Sequence, residues 1–420
     1  MTSADESDEQ QQRRQVADVV MHWMRRRGLT RQIFADRLGK SLSWVDKIKI
    51  GDRQLDRLSV LRQIAQVLDI PLQVLIDPEE SERRQHCPDD REIDAIRSAL
   101  RRYDAITNVF RPIGDVLPDP NLAQLERSVR YGWMSFQVSD YQAIGRMLAD
   151  LIGKAQAAVW QLDGDDQRAA EGWLAWTYQL TAAAAFKLGD AQLGWVAADR
   201  SIQLAERTED LTLIASAARR VAHALTYTHQ DGDAVTLVHS AAERLASHVA
   251  QADPALVSAY GMLLLKGSIA AARLHQAADV RDLQAEALSV ATTLGADRNE
   301  HWSAFGTTNV LIHQVSALAE MQSGGRVIEA AKQIANADLV RLPKERRASH
   351  ALDVARGYVQ WGRRDEAATT LLDADQYAPA EVRCRPMTRP LITDLVRSYP
   401  RGSRVPVGLT KIARAVGVIA

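Results

Sequence analysis

The side chains most able to do chemistry in this sequence are the basic ones near its start. Residues 13–62 hold 13 Lys and Arg against 5 Asp and Glu, a charge of +8, whereas the whole chain of 420 residues carries −1. Because Lys and Arg neutralise phosphates and release counterions from DNA, such a segment indicates a nucleic-acid partner. The sequence therefore predicts a basic DNA-binding head in front of an acidic body.

The sequence contains no motif that indicates catalysis or metal binding. No glycine-rich phosphate loop, zinc-binding HExxH or nucleophile-elbow pattern occurs, and the ten histidines have no carboxylate partners at ligand spacing. Cys87 and Cys384 are too far apart in sequence to indicate a zinc site or a disulfide framework, which favours a reducing compartment. We therefore expect neither an enzyme nor a metal or other cofactor.

The expected location is the cytoplasm, on the nucleoid. Residues 1–12 are acidic and polar, unlike a signal peptide, and we expect them to form a disordered tail. The most apolar run, Tyr260 to Ala272, is interrupted by Lys266 and is shorter than the roughly 20 residues that a membrane span needs. No membrane partner is expected.

The basic head reads as five short helices within residues 13–78. Apolar residues recur at helical spacing, Thr30 and Ser41 are good N-caps, and Gly28, Gly39 and Gly51 can end helices in the left-handed conformation. A tight turn between the second and third helices is the order expected of a helix-turn-helix.

The stretch from Gly28 to Leu75 resembles the XRE family of phage-repressor-type DNA-binding domains. The tight alanine, the Leu-Gly end of the second helix, and the serine and glycine that bound the third helix fall on Ala35, Leu38, Gly39, Ser41 and Gly51. The resemblance implies that the third helix enters the major groove while the second crosses the DNA backbone.

By that resemblance, Leu42, Ser43 and Lys47 take the base-reading positions. Four residues are better placed for phosphates: Arg31, Gln32, Lys49 and Arg53. The full DNA-contacting set is Arg31, Gln32, Ser41, Leu42, Ser43, Lys47, Lys49 and Arg53. Lys49 and Ile50 stand where the family commonly has a glutamate and a polar residue, so Ile50 is unexplained. Trp44 could face DNA, although partly buried packing is the favoured interpretation.

After a polar linker at 79–95, residues 96–420 predict an array of helical hairpins. Turn signals recur at Gly189, Gly232, His275, Gly324 and Gly362, with spacings of 43, 43, 49 and 38 residues. The last unit ends in the alanine-then-proline pattern of the tetratricopeptide repeat, whose nominal period is about 34 residues. The expected fold is all-α: a five-helix head followed by a superhelical array of five or six tetratricopeptide-like hairpins.

Most of the chain is similar to actinobacterial regulators that join an XRE-type head to a tetratricopeptide-like body. Residues 40–47, 55–60, 299–316, 342–367 and 378–400 carry this similarity. The layout is more distantly similar to peptide-responsive quorum-sensing regulators of other Gram-positive bacteria. The resemblance implies a transcriptional regulator, a homodimer on a palindromic or inverted-repeat operator in double-stranded DNA, and an unknown peptide, small-molecule or protein effector in the repeats.

The effector-binding candidates are Trp302, Phe305, Asn309 and His313. Asn309 and His313 are four residues apart and share a helical face, and the two aromatic residues offer stacking area. The alternative is that the aromatics pack between repeats and the polar pair satisfies a turn.

Other candidates stay open. Arg346, Arg347 and His350 favour a solvated or inter-repeat surface over an anion site, and a second group could line the same groove as the effector candidates: Tyr178, Arg220, His223 and Tyr227. At the level of function, the alternative is a tetratricopeptide-type interaction scaffold whose helix-turn-helix is secondary or inactive.

Overall fold

The computed structural model describes residues 3–420 except 53–54, 56, 78–79, 82–83, 85, 102–119, 250–251, 401, 403 and 420. Side chains are not described at 3–10 and 12–13 of the first helix. The chain divides into two units, Met1–Gln85 and His86–Ala420. The fold is all-α: the described residues form helices and no strand, with one isolated bridge between Arg298 and Phe305.

The first unit contains the five helices that the sequence predicts. They are α1 (Ser3–Arg26), α2 (Arg31–Leu38), α3 (Leu42–Lys49), α4 (Leu58–Leu68) and α5 (Gln73–Ile76). Helix α1 begins at Ser3, inside the segment predicted as a disordered tail, because its run of Glu and Gln residues has good helix propensity.

The core of the first unit is formed by side chains that the helical spacing placed on inner faces. Trp23, Phe34, Val45, Ile48 and Ile64 are fully buried. Burying side chains of this size contributes about 1.5–3 kcal/mol each relative to leaving them exposed. This core therefore fixes how the two helices of the helix-turn-helix cross.

The second unit starts with a helix inside the predicted linker and continues as a long helical array. Its helices are α6 (Asp90–Arg101), α7 (Leu122–Gln137), α8 (Tyr141–Gln161), α9 (Gly164–Leu188), α10 (Ala191–Thr208), α11 (Leu211–Tyr227), α12 (Asp231–Val249), α13 (Pro254–Arg273), α14 (Ala277–Leu294), α15 (Thr307–Glu320), α16 (Gly324–Ala331), α17 (Asn336–Leu339), α18 (Lys344–Gln360), α19 (Arg364–Tyr377), α20 (Pro379–Arg383), α21 (Thr388–Arg397) and α22 (Val407–Ala415). A short 3₁₀ helix, Glu300–Trp302, precedes α15.

Six helical hairpins pack side by side among the described helices, in agreement with the predicted five or six. They are α7–α8, α9–α10, α11–α12, α13–α14, α15–α16 and α18–α19. Three of the five predicted turns fall on the predicted residue: Gly189, His275 and Gly362 adopt left-handed backbone between the helices of their hairpins. In the second and fourth predicted turns the left-handed residues are His229 and Gln322, because Gly232 and Gly324 already lie in the first turns of α12 and α16.

Helix α13 is the longest apolar element of the array. It is 20 residues long and apolar enough to pass a membrane-span test by length and composition, but 83% of its apolar window is buried inside the protein. Leu263, Leu264 and Leu265 are fully buried in the core that α13 shares with its neighbours. The helix thus has the packing of a core helix of the array, and Lys266 interrupts its apolar sequence.

The C-terminal segment 379–387 packs against the first hairpins of the same unit. Cys384 forms a disulfide with Cys87 across a sequence separation of 297 residues. The expectation that this separation argues against a disulfide was wrong, and the two cysteines therefore do not support a reducing compartment. A Cβ placed on Gly189 would lie 2.4 Å from Pro386, so the α9–α10 turn and this segment approach at a distance that only glycine allows. Sequence separation failed as a guide because the array brings its two ends together.

Candidate DNA-binding surface and effector cavity

Helices α2 and α3 are joined by a tight turn whose ends are capped locally. The Thr30 hydroxyl accepts a hydrogen bond from the Ile33 amide at 3.2 Å, and the Ser41 hydroxyl accepts one from the Trp44 amide at 3.3 Å. Between them, Gly39 adopts φ +62° and donates its amide to the end of α2. These caps start and stop the helices where the sequence predicted, and they place the start of α3 directly after α2.

Helix α3 has one buried and one exposed face. Val45 and Ile48 are fully buried, whereas Leu42, Ser43 and Lys47 are exposed. Ser43 and Lys47 are four residues apart, so they lie on the same face of the helix. Leu42 is the first residue of the helix and lies next to Ser43. The three predicted base-reading side chains are therefore presented together and away from the core.

The predicted phosphate-contacting residues are placed less uniformly. Arg31 donates to the Asp46 carboxylate of α3 at 2.5 Å, and Gln32 donates to Asp36 at 2.8 Å. Both side chains of the Arg31–Asp46 pair are exposed, and exposed ion pairs contribute only about 0–1 kcal/mol, so Arg31 can be drawn to a phosphate at little cost. Lys49 is exposed.

Four other residues of the predicted DNA-binding segment are not placed as phosphate or base contacts. The Ser41 hydroxyl serves as the α3 N-cap, and Arg53 lies outside the described residues. Trp44 is half-buried and packs against the core of the first unit, as the favoured interpretation expected. Ile50 is 68% exposed at the end of α3, and nothing in the structure explains it.

Two of the arginines of the head make contacts within the first unit. Arg27 donates to the carbonyls of Leu68 and Asp69 at 2.8 and 2.9 Å, at the C-terminal end of α4, where a cation is favoured. The guanidinium of Arg26 lies 4.5 Å from the ring centroid of Trp23. The net charge of the segment therefore overstates the charge available for DNA.

The predicted effector residues are split between a cavity and the core. Trp302 and His313 line a cavity of about 250 Å³ in the second unit. Phe305 is fully buried against Gly261, where an added Cβ would lie 2.0 Å from its ring, so it is a packing residue and the prediction that it stacks on an effector was wrong. Asn309 is also fully buried; its amide nitrogen lies 3.3 Å from the Met262 sulfur and its Oδ1 lacks a hydrogen-bond partner among the described residues.

The loop before α15 sets the position of Trp302. His301, Trp302 and Ala304 all have positive φ, at 43°, 58° and 50°, a conformation that costs about 1–2 kcal/mol for residues with a Cβ. The loop is held by two ring stacks: Trp302 on Trp133, with centroids 5.3 Å apart, and His301 on Trp176, at 4.9 Å. Such strain persists only where surrounding contacts over-determine it, and strained segments cluster at functional sites.

Ten of the side chains that line the cavity are charged. The cations are Lys187, Arg219, Arg220, Lys266, Arg346, Arg356 and Arg385, and the carboxylates are Glu320, Glu345 and Asp353. Two imidazoles, His223 and His313, line it as well. Burial lowers the pKa of His223 well below its usual value and lowers that of His313 to about 3, so both rings are neutral at physiological pH.

One side of the cavity is neutralised by a buried network. Fully buried Glu381 accepts hydrogen bonds from Lys187 at 2.9 Å, from Arg385 at 3.1 Å and from the Tyr141 hydroxyl. Lys187 also pairs with Glu345, and these nearby cations hold the pKa of the Glu345 carboxyl well below its usual range despite its burial. The network ties the first hairpin and α9 to α18 and α20.

The other side of the cavity carries three cations that are not in ion pairs with any described residue. Arg219, Arg220 and Lys266 form no ion pair among the residues that the structure describes. Burial first, and repulsion from neighbouring cations second, lower the pKa of Lys266 to about 7. Burial likewise lowers the pKa of Arg220 to about 10.

Sequence reasoning missed most of this cavity. It named Arg220 and His223 only as unranked candidates, and it favoured a solvated or inter-repeat surface for Arg346, which lines the cavity. The one local signal was Lys266, a charged residue in the most apolar stretch of the chain. Such a residue must either reach solvent or face a polar interior.

The remaining candidates are not among the residues that line the cavity. Arg347 has its guanidinium 5.5 Å from the ring of Tyr377, and His350 is buried, which lowers its pKa to about 4. Tyr178 is buried in the core of the first hairpins, and Tyr227 packs on Phe186 with ring centroids 5.0 Å apart.

Comparison with known proteins gives one structural match and no family. No protein-family model matches the chain, and no curated protein matches it. Among solved structures, the chain is similar to the crystal structure of Bacillus thuringiensis PlcR in complex with the peptide PapR7 and DNA. That match has 16% identity and a TM-score of 0.31, and covers 67% of this chain and 96% of the other. A likeness at this score is too low to transfer a function.

Proposed function

We propose that this protein is a sequence-specific DNA-binding transcriptional regulator of the cytoplasm whose repeat domain holds an effector. The observation that carries the proposal is the exposed face of α3, which presents Leu42, Ser43 and Lys47 from a capped helix-turn-helix with a fully buried opposite face. An α-helix presented in this way fits the major groove, where lysine can bind guanine edges and leucine can contact a thymine methyl.

The proposed active form is a homodimer on an inverted-repeat operator. Two helix-turn-helix heads would read half-sites about 34–36 Å apart or a multiple of that spacing. An effector in the repeat domain changes DNA affinity only if it binds one state of the dimer better than the other. Sedimentation of the protein alone and on operator DNA measures the stoichiometry, and one protomer per operator would contradict the dimer.

A second function, an interaction scaffold with a secondary helix-turn-helix, is favoured by one observation. Asp46 places a carboxylate on the exposed side of α3 and engages Arg31, a predicted phosphate contact. A carboxylate near DNA repels phosphates unless a cation neutralises it. The scaffold reading therefore predicts DNA binding that is weak and without sequence preference.

Selection of genomic DNA fragments by the purified full-length protein tests the two readings. The variants are Lys47→Ala, Lys49→Ala and, as a matched control, Lys332→Ala, which removes an exposed lysine of the repeat domain. Lys47→Ala should cost about 1–3 kcal/mol on the selected site and relax the choice of base. Lys49→Ala should weaken all sites alike and reduce the salt slope by about 1.

The outcomes separate the functions. A symmetric site enriched by the wild type and by Lys332→Ala, with the two head variants behaving as stated, supports the regulator. If the wild type enriches no sequence, the regulator is refuted and the scaffold reading stands. If Lys47→Ala selects the same site with the same affinity, the base-reading role of Lys47 is refuted.

A further inference from the structure

The cation-rich side of the cavity contains a buried polar atom without a partner. Arg220 is 7% exposed, lines the cavity, and its Nε has no hydrogen-bond partner among the described residues. Leaving such a group unsatisfied costs about 1–3 kcal/mol, and more for a charged group. A ligand that supplies the missing acceptor would remove this cost.

The charge balance shows what kind of ligand is missing. Seven cationic and three carboxylate side chains line the cavity, and the carboxylates are already engaged. Glu345 pairs with Lys187, and Arg356 lies 3.0 Å from Glu320 and 3.7 Å from Asp353. No carboxylate of the lining remains for Arg219, Arg220 and Lys266, so the ligand group that fits beside them is an anion.

The surface next to these cations is flat and aromatic. Trp133 and Trp302 stack with an interplanar angle of 6°, and the Arg220 guanidinium lies 5.9 Å from the Trp133 ring centroid. Both tryptophans line the cavity. Its volume of about 250 Å³ lies just below the ~300–1,000 Å³ typical of small-molecule sites, so it suits a compact molecule.

We infer that this cavity binds a small organic oxyanion, a carboxylate or a phosphate monoester attached to a flat apolar group, with Arg219, Arg220 and Lys266 as its cationic contacts. The inference deepens the proposed effector role of the repeat domain and is independent of DNA binding. The planar guanidinium groups match the oxygens of a carboxylate or phosphate bidentately, and the ammonium adds a point charge.

Calorimetric titration of the full-length protein with three phenyl probes tests the inference. Phenyl phosphate and benzoate carry the two candidate anions, and benzamide is the neutral isostere. The variants are Arg220→Gln, Lys266→Met and the matched control Arg244→Gln, which removes an exposed arginine of α12 outside the cavity. Circular dichroism of each unliganded variant verifies that it is folded.

We expect saturable binding of at least one anion and none of benzamide. Because each cation supplies a charge-assisted hydrogen bond, Arg220→Gln and Lys266→Met should each weaken that binding at least about tenfold, while Arg244→Gln binds like the wild type. A preference for phenyl phosphate identifies a phosphate monoester as the ligand group, and a preference for benzoate identifies a carboxylate.

Three results would overturn the inference: no saturable binding of either anion at millimolar concentration, equal binding of benzamide, or wild-type affinity in folded Arg220→Gln.

A terminal peptide carboxylate is the competing source of the same chemistry. Tight binding of a peptide that is lost on C-terminal amidation, with no binding of the phenyl probes, would assign the cavity to a peptide terminus. Anion binding without DNA selection would refute the proposed regulator but leave this inference intact.

Discussion

Replacing Lys266 with methionine should stabilise the unliganded protein, and the gain should depend on pH. Burial lowers the pKa of this lysine from 10.5 to about 7, with Arg273 and Arg220 adding repulsion, and Glu320 and Asp231 opposing them only in part. A folded-state pKa below the unfolded value means that the charged lysine is disfavoured on folding. Methionine has a similar length and no charge, so it removes this penalty.

The sign and size follow from proton linkage. Below pH 7 Lys266 is protonated in both the folded and the unfolded protein, so its burial costs the full free-energy penalty on folding. As the pH rises from 7 towards 10.5, the folded protein releases this proton before the unfolded protein does, and the penalty on folding falls. Each pKa unit corresponds to 1.36 kcal/mol, which gives an upper limit of about 5 kcal/mol. Because the side chain is partly accessible, we expect a gain of about 2–3 kcal/mol at pH 6 that falls to about half at pH 9.

Thermal unfolding of Lys266→Met and wild type at pH 6 and pH 9, in the same buffers, measures this difference. The exposed-lysine control is Lys332→Met, whose Tm should follow the wild type at both values. A Lys266→Met variant that is less stable than wild type, or whose gain is the same at both pH values, would refute the reasoning that Lys266 is buried as an uncompensated cation.

Three further changes test other parts of the structure. Glu381→Gln removes the buried negative charge that pairs with Lys187 and Arg385, and breaking a buried ion pair costs about 3–5 kcal/mol, so hydrogen exchange should quicken in 139–141 and 379–387. Glu366→Gln, at an exposed ion pair, is the control and should change nothing measurable. Cys87→Ser, or reduction of the wild type, should lower the Tm of the second unit, since opening a covalent loop of this length removes up to about 6 kcal/mol in the chain-entropy description. The Tm of Cys87→Ser itself should not respond to reductant. Gly39→Ala, at φ +62°, should destabilise the first unit by about 1–2 kcal/mol as measured by urea unfolding, whereas an unchanged midpoint would show that the turn relaxes without strain.

The head could be predicted from sequence because its signals are local. Thr30, Gly39 and Ser41 act within one or two turns of their own helices, and their hydrogen bonds are those that the residue types allow. The turns at Gly189, His275 and Gly362 are local in the same sense, since each is a left-handed residue between two helices. Short-range chemistry therefore predicted the helices, their order and most hairpin turns.

The cavity could not be predicted because its lining residues are far apart in sequence, and no local sequence pattern shows that they meet. Arg220, Lys266 and Glu345 lie on three different hairpins, and Glu381 follows the last of these, so their meeting depends on the curvature of the whole array. Phe305 was assigned to the ligand for a related reason. The direction in which a side chain leaves a loop with left-handed residues is set by tertiary contacts rather than by periodicity.

The two sides of the cavity make opposite contributions to stability, and this difference indicates where function lies. The Lys187–Glu381–Arg385 side pairs its buried charges and joins the first hairpin and α9 to α18 and α20, so it stabilises the unliganded protein. The Arg220–Lys266 side leaves buried cations without an ion-pair partner among the described residues and destabilises the same state. An anion bound to Arg220 and Lys266 would give these cations the partner they lack. The charges on this side of the cavity would then be paired, as those of Lys187, Glu381 and Arg385 already are. Binding should therefore tighten the contacts between hairpins that line the cavity, which is the differential stabilisation of one state that an effector requires.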